Sequence, residues 1–186
     1  MALRRGFKTE ANQTADEVRA ELGLGPLDRL DPRRLADALE IPVFDLTTVA
    51  DADPAILHFV DIEPGAFSAV TVFAGRRRGI VHNDTHSPER QNSNLAHELA
   101  HGLLLHPPTP AFGDTGCRNW DEDIEDEANW LGGVLLVTEA ATLDIARKKL
   151  PIRVAAEDYV VSEQMLQWRM NMTGAYRRIA RYSGAR

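Results

Sequence analysis

The spacing of apolar and polar residues predicts helices in the first part of the chain. Between residues 9 and 22 apolar side chains recur every three or four positions, as in an amphipathic helix, and Gly23 is placed to end it. Asp31 followed by Pro32 predicts the start of a second helix, because Asp is a favoured cap and Pro a favoured first residue. The N-terminal segment is therefore expected to be mainly helical.

Short apolar runs then predict strands. Residues 41–44 form the first run, and the proline within it indicates a strand start or a sheet edge. Residues 67–73 and 80–83 are joined by a turn rich in Gly and Arg, so they predict a hairpin. Residues 45–66 are expected to be mostly loop, with an apolar patch at 56–60 that is compatible with a further strand.

Helical patterns return in the second half of the chain. Ser87-Pro88 followed by an acid is typical of a helix start, and Pro107 ends that helix. Further helices are predicted over residues 121–137, 138–149 and 160–182, with Pro151 as a breaker. The expected fold class is α+β in one domain, residues 1–186, with residues 151–186 as a C-terminal helical extension of it.

Composition and charge narrow the possible functions. The chain has 186 residues and a formal net charge of -7, which argues against direct nucleic-acid binding and against anionic membranes. It has no apolar run of membrane-spanning length and no signal-peptide pattern at its N-terminus. Cys117 is the single cysteine, so no internal disulfide is possible. We expect a cytoplasmic protein.

Candidate chemistry is concentrated in His97-Glu98-Leu99-Ala100-His101, a His-Glu-x-x-His motif in the helix predicted after Ser87. Two imidazoles four residues apart project from one helix face and suit a single Zn²⁺. The intervening Glu98 lies beside the metal and is predicted to be the catalytic general base and acid. Zinc-dependent hydrolysis is therefore the favoured chemistry, with His97 and His101 as metal ligands.

A catalytic zinc needs a third protein ligand. A third histidine downstream is not expected, because Gly102 and His106 are both off register for the extended motif. A carboxylate from the helix predicted over 121–137 is the other route. On a helical wheel Ile124, Leu131 and Val134 fall within about 60° of Glu127, so Glu127 is the predicted third ligand. Glu125 remains the alternative.

The two segments that carry this chemistry resemble the ImmA/IrrE family of metallopeptidases. Beside the His-Glu-x-x-His motif, residues 125–131 read Glu-Asp-Glu-Ala-Asn-Trp-Leu, which is similar to the family's Glu-x-Glu-Ala-Asn-x-Phe-Ala segment. Residues 9–46 and 161–174 resemble the flanking parts of that family. The departures are Trp-Leu in place of Phe-Ala, and Gly132-Gly133, which is expected to add flexibility to the ligand helix.

The resemblance implies a zincin-like core, in which a small mixed sheet packs on the active-site helix. It implies a zinc-dependent endopeptidase that cleaves a helix-turn-helix transcriptional repressor, in stress or mobile-element regulation. A non-cleaving anti-repressor, or protein-binding module, on the same scaffold is the alternative. A DNA-binding regulator is a further alternative, because residues 155–169 faintly resemble a helix-turn-helix unit, but the acidic net charge disfavours it.

Other candidate roles stay open at this point. Oxyanion stabilisation needs a donor besides zinc, and the sequence does not select among His82, His86, Arg90 and Tyr159. An inert thiol is the favoured interpretation of Cys117, and a redox-sensitive or inhibitory ligand is the alternative.

Overall fold

The computed structural model describes residues 3–75, 77–107 and 121–184. In the first part of the chain the elements are α1 (Phe7–Glu21), α2 (Pro32–Ala38), β1 (Val43–Asp45), α3 (Leu46–Ala52), β2 (Ala69–Ala74), β3 (Arg77–His82) and α4 (Pro88–Leu103). The second part contains α5 (Glu122–Leu136), α6 (Glu139–Lys148), α7 (Ile152–Tyr159), α8 (Glu163–Thr173) and α9 (Ala175–Gly184). This is an α+β fold, mostly helical with a small mixed sheet, and it is consistent with a zincin-like core.

The sheet has the strand order β1-β3-β2, which leaves β2 at one edge. Strands β2 and β3 form the predicted hairpin, with Thr71 opposite Ile80. Strand β1 pairs with β3 in parallel and places Val43 beside Ile80. The buried Ile80 joins the main core, so the sheet presents one face to the helices that carry the candidate chemistry.

The prediction of a strand within residues 56–60 is wrong. After α3 the chain forms short turns of 3-10 or π-helix, Pro54–Ile56, His58–Ile62 and Pro64–Ala66. The buried side chain of Asn83 donates hydrogen bonds to the carbonyl oxygens of Phe59, Pro64 and Phe67, at 3.2, 3.1 and 3.2 Å. One buried amide thus ties these turns to the end of strand β3.

Helices α4 and α5 lie at the centre of the packing. One apolar cluster joins them to α1, α2 and β3. A second cluster joins the end of α5, and Ala96 of α4, to helices α6 to α9. The predicted single helix over 160–182 is two helices, α8 and α9, separated at Gly174, where a φ of 62° ends α8.

The segment that faintly resembles a helix-turn-helix unit forms α7 and α8. Its Arg169 is 1% exposed and donates from Nε to the carbonyl oxygen of Val137 at 3.0 Å. Downstream, Arg178 pairs with Glu139 at 2.5 Å. Both arginines therefore serve contacts within the fold. No helix in the described parts of the chain is long and apolar enough to cross a membrane.

Candidate metal centre

Helix α4 presents two histidines on the side opposite its core face. It begins at Pro88, and its buried Leu95 and Leu99 pack into the core at 1% and 0% exposure. His97 and His101 lie one turn apart, and their Nε2 atoms are 3.0 Å from each other. The four-residue spacing thus brings two nitrogen donors to one point, as the sequence predicts.

The carboxylate that lies beside them is Glu125 of α5, whereas Glu127, the predicted third ligand, lies elsewhere. Oε2 of Glu125 lies 3.1 Å from Nε2 of His97 and 3.7 Å from Nε2 of His101. Within the described ranges, these three residues form the group whose ligand atoms all lie within 4.8 Å of one another. Glu127 instead contacts Arg4 and His106, at 2.8 and 3.5 Å.

The face of α5 that contacts α4 includes Gly132. A β-carbon at Gly132 would lie 3.2 Å from the backbone N of His97 and 3.3 Å from the carbonyl of Ala96. Glu125 and Gly132 are seven residues apart and share that face. A helical wheel centred on the apolar residues of α5 does not identify this face, because a glycine carries no apolar side chain. Gly132 therefore permits close approach, which differs from the flexibility expected of it.

The geometry of the three donors fits a small divalent metal ion. Two imidazole nitrogens and a carboxylate oxygen, with one position left open, form a donor set typical of catalytic zinc sites. Ligands at zinc distances in a tetrahedral arrangement lie about 3.3 Å from one another. The distances here are 3.0, 3.1 and 3.7 Å. Side-chain adjustments of a few tenths of an ångström are enough to accept the ion.

The electrostatics of Glu125 favour its metal-binding form. The residue is 8% exposed, and burial alone would raise its pKa. The adjacent imidazoles of His101 and His97 outweigh burial and hold the pKa of Glu125 far below its ordinary value. The carboxyl group is therefore an ionised oxygen donor at neutral pH.

The far side of each imidazole also has a partner. Nδ1 of His97 lies 3.0 Å from Oδ1 of Asn129, one turn beyond Glu125 on α5. Nδ1 of His101 lies 2.9 Å from Nδ1 of His106, which follows the end of α4. Such outer contacts orient the rings of metal-binding histidines. The sequence analysis assigned neither residue a role, although the four-residue spacing from Glu125 to Asn129 indicates a shared face.

Glu98 lies beside the three donors. It is 5% exposed, and Oγ1 of Thr71 donates a hydrogen bond to its Oε2 at 2.6 Å. Thr71 belongs to the edge strand β2, so the sheet orients the side chain predicted to carry protons. No feature of the sequence singled out Thr71, because the contact depends on how the hairpin packs on α4.

An open cleft of about 250 Å³ exposes the site, and it is lined by Ser68, Ala69, Ser93, Asn94, His97, Glu98, Glu125 and Asn129. Ser93 and Asn94 also line a second cleft of about 510 Å³, between α4 and helices α7 and α8. The two clefts meet at these residues. Together they have room for an extended polypeptide that reaches beyond the metal position.

Two of the four candidate oxyanion donors are engaged elsewhere. Nε2 of His82 lies 2.8 Å from Oδ1 of Asp45, at the end of the sheet. Burial lowers the pKa of His82, and the hydrogen bond to Asp45 offsets this only in part. The hydroxyl of Tyr159 donates to the carbonyl oxygen of Leu27 at 2.8 Å. Neither residue lines the cleft.

The other two candidates do not line the cleft at the three donors, although Arg90 lines the second cleft that meets it. Nε2 of His86 donates to the carbonyl oxygen of Pro64 at 2.8 Å. Arg90 donates from a terminal nitrogen to Oγ of Ser68 at 3.0 Å, and Ser68 does line the cleft. The alternative roles considered for Cys117 fall outside the described residues.

Comparison with known proteins adds one match. A family model described as the IrrE N-terminal-like domain (Peptidase_M78) matches residues 56–171, which is more than half of the 186 residues. The matched range contains the two histidines, Glu98 and Glu125. No match was found among curated proteins.

Proposed function

Because this chain belongs to the IrrE N-terminal-like family of metallopeptidases, we propose that it is a zinc-dependent endopeptidase. In this proposal His97, His101 and Glu125 hold the zinc ion, and Glu98 is the catalytic base and acid. The observation that carries the proposal is the convergence of three donor atoms from α4 and α5 within 4.8 Å. Glu125 takes the ligand role that the sequence analysis assigned to Glu127.

Zinc in such a donor set acidifies a water molecule and polarises a carbonyl oxygen. The residues of the chain supply the rest of the mechanism. Glu98 accepts the proton of the attacking water and transfers it to the departing amide nitrogen. The hydrogen bond from Thr71, at 2.6 Å, holds the carboxylate of Glu98 in place for both transfers.

The surroundings of the site favour a polypeptide substrate bound in extended form. Strand β2 is at the sheet edge, and its first residue, Ala69, lines the cleft. An extended segment is able to pair with such an edge through backbone hydrogen bonds. The two clefts meet at Ser93 and Asn94, so a bound chain is able to continue past the metal position, which favours cleavage within a chain over removal of a terminal residue.

The proposed substrate is a helix-turn-helix transcriptional repressor, as the family resemblance implies. A net charge of -7 supports the pairing. DNA-binding domains present basic surfaces, and opposite charge speeds the encounter of two proteins. A protease with net negative charge would therefore associate faster with such a repressor than with proteins that lack a basic surface.

Glu98→Gln tests the proposal with a nearly isosteric change. We expect the variant to bind zinc as the parent does, because Glu98 is not a ligand, and cleavage to fall by about 10²- to 10⁴-fold. The assay mixes purified protein with a helix-turn-helix repressor from the same genome and follows fragments by mass spectrometry. Chelator-treated parent is the control. Cleavage by Glu98→Gln at the parent rate would show that another residue is the base.

A further inference from the structure

Arg78 of strand β3 lies on the face of the sheet that packs on helix α4, and it is partly buried there. Its guanidinium lies over the ring of Phe73, with Cζ 5.2 Å from the ring centroid. Within the described ranges this guanidinium has neither a hydrogen bond nor an ion pair. Its five N–H groups are therefore available to an anion from outside the fold.

Arginines elsewhere in the fold have partners. The buried Arg19 and Arg169 donate to backbone carbonyl oxygens at the end of α5. Arg33, beside the sheet, pairs with the carboxylate of Asp45. Contacts of this kind account for those three cations, and in the described parts of the chain no such contact accounts for the charge of Arg78.

Gly102 provides the space that Arg78 occupies. A β-carbon at Gly102 would overlap with a terminal nitrogen of Arg78 and would lie 3.5 Å from its Cζ. Gly102 follows Glu98 by four residues, so the two positions share one side of α4 and are one turn apart. The side of α4 that carries the proposed catalytic base thus leads to Arg78.

Strand β2 follows the same direction as α4. Thr71 donates to Glu98 at 2.6 Å, and Phe73, two residues further along the strand, contacts Arg78. Two strand residues span about 6.8 Å and one helical turn about 5.4 Å, so the strand and the helix stay aligned over this distance. One row of positions therefore runs from Glu98 to the unpaired guanidinium.

A polypeptide paired with the edge of β2 would present side chains to both ends of this row. Residues directly opposite each other in paired strands point to the same face of the sheet. The substrate residue opposite Thr71 would lie beside Glu98, next to the scissile bond. The substrate residue opposite Phe73, two positions further, would point toward Arg78.

We propose that Arg78 is a specificity-determining residue that binds an Asp or Glu side chain of the substrate, at the third residue on one side of the scissile bond. The inference rests on the proposed function and on pairing of the substrate with β2. A guanidinium binds a carboxylate through two parallel hydrogen bonds, and the ring of Phe73 supports its plane. Because acids are few on a basic repressor surface, this requirement would limit cleavage to few sites.

The first test is the cleavage profile of the zinc-loaded protein on a proteome-derived peptide library, with the cut sites read by mass spectrometry. We expect acids to be enriched about tenfold at the third residue on one side of the cut bond. Arg78→Gln should abolish this enrichment, and Arg78→Glu should replace it by enrichment of basic residues. Arg77→Gln, at an exposed position on the opposite face of the same strand, is the matched control and should keep the parent profile.

The second test measures binding without cleavage, using a synthetic peptide that contains one cleaved site. The inactive variant Glu98→Gln should bind this peptide about tenfold more tightly than the same peptide with its acid replaced by Gln, as measured by fluorescence anisotropy. The difference should shrink in about 0.5 M NaCl, since salt screens a pair of charges that solvent reaches.

A structural role for Arg78 predicts a different result. Arg78 lies over the last turn of α4, where a cation also stabilises the helix end. If that were its function, Arg78→Gln would lower the melting temperature and leave the cleavage profile unchanged, which would overturn the proposal. If Arg78→Glu does not fold, the comparison of Arg78→Gln with Arg77→Gln gives the same readout.

The outcomes also separate this inference from the proposed function. A parent that cleaves peptides without enrichment of acids at that position would overturn the role of Arg78 and leave the peptidase intact. A zinc-loaded parent that cleaves no peptide would overturn both, because both require an extended segment at β2.

Discussion

The two halves of helix α5 differ in what surrounds them. The first half, residues 122–129, has exposed positions and carries Glu125, Glu127 and Asn129 toward the histidines of α4. The second half, residues 130–136, is buried on every side, with exposures of 5% or less. One half therefore presents polar groups, and the other supplies the packing that holds them.

Two buried arginines hold the C-terminal end of the second half. Arg19 donates to the carbonyl oxygen of Leu135 at 2.8 Å, and Arg169 donates to that of Val137 at 3.0 Å. Helix C-termini leave carbonyl groups without partners and carry a partial negative charge, so cations stabilise them. Burial lowers the pKa of Arg169 to about 10, which still leaves it charged at neutral pH.

The comparison shows how a few polar contacts, held in place by a buried half-helix, are able to form the proposed metal site. The position of Glu125 depends on where the buried half of α5 lies against α4, and Gly132 sets that distance. The first half of α5, residues 122–129, needs little packing of its own, because the buried half, residues 130–136, determines the direction of the helix. Changes in the two halves should therefore separate metal binding from stability.

The largest effect is expected for Glu125→Ala. Loss of a direct ligand should weaken zinc binding by more than the roughly 100-fold that an outer contact is worth. The metal-free variant should keep the circular dichroism spectrum of the parent. Glu122→Ala, at an exposed position of the same half, is the matched control. Parent-like zinc affinity in Glu125→Ala would show that the ligand set is wrongly assigned.

Arg169→Ala tests the anchored half. Removing the guanidinium leaves the Val137 carbonyl without its donor and creates a cavity, so the free energy of unfolding should fall by about 3 kcal/mol. Urea unfolding followed by tryptophan fluorescence measures this. Arg177→Ala, at an exposed position of α9, should change it by less than about 0.5 kcal/mol. The zinc affinity of Arg169→Ala should match that of the parent. If it falls by an equivalent free energy, the two halves of α5 do not act separately.

The smallest effects are expected from two adjacent glycines of α5. Gly132 lies against α4, and Gly133 lies against Trp168 of α8. Gly132→Ala places a methyl group 3.2 Å from the backbone N of His97, so zinc affinity should fall about tenfold. Gly133→Ala places one 2.7 Å from the Trp168 ring, so stability should fall by about 1–3 kcal/mol with zinc affinity unchanged. Equal effects of both substitutions on zinc binding would contradict the division of α5.

Most of the regular elements could be predicted from local patterns. The Asp31 cap, the β2–β3 hairpin, and helices α4, α5 and α6 appear within a few residues of their predicted bounds. Each depends on interactions between residues near one another in the chain, which a sequence displays directly. The turns over residues 58–66 were not predictable in this way, because they are held by the amide of a residue outside the segment, Asn83.

The candidate site was predictable only in part, for the same reason. His97, Glu98 and His101 depend on one helical turn of α4. The choice between Glu125 and Glu127 depends on the contact between two helices. Gly132 was the signal that would have identified the correct face, since a glycine within a buried helix often permits close approach. Thr71 and His106 contact the site only after the hairpin and the end of α4 are in place.

The sequence by itself determined the type of chemistry, because two imidazoles and a carboxylate spaced along one helix turn point to a metal hydrolase whatever surrounds them. It also predicted that a carboxylate of the following helix would be the third donor. Only the tertiary structure decided which one. Helix α5 approaches α4 closely at Gly132, and in that arrangement Glu125 lies beside the two histidines whereas Glu127 contacts Arg4 and His106.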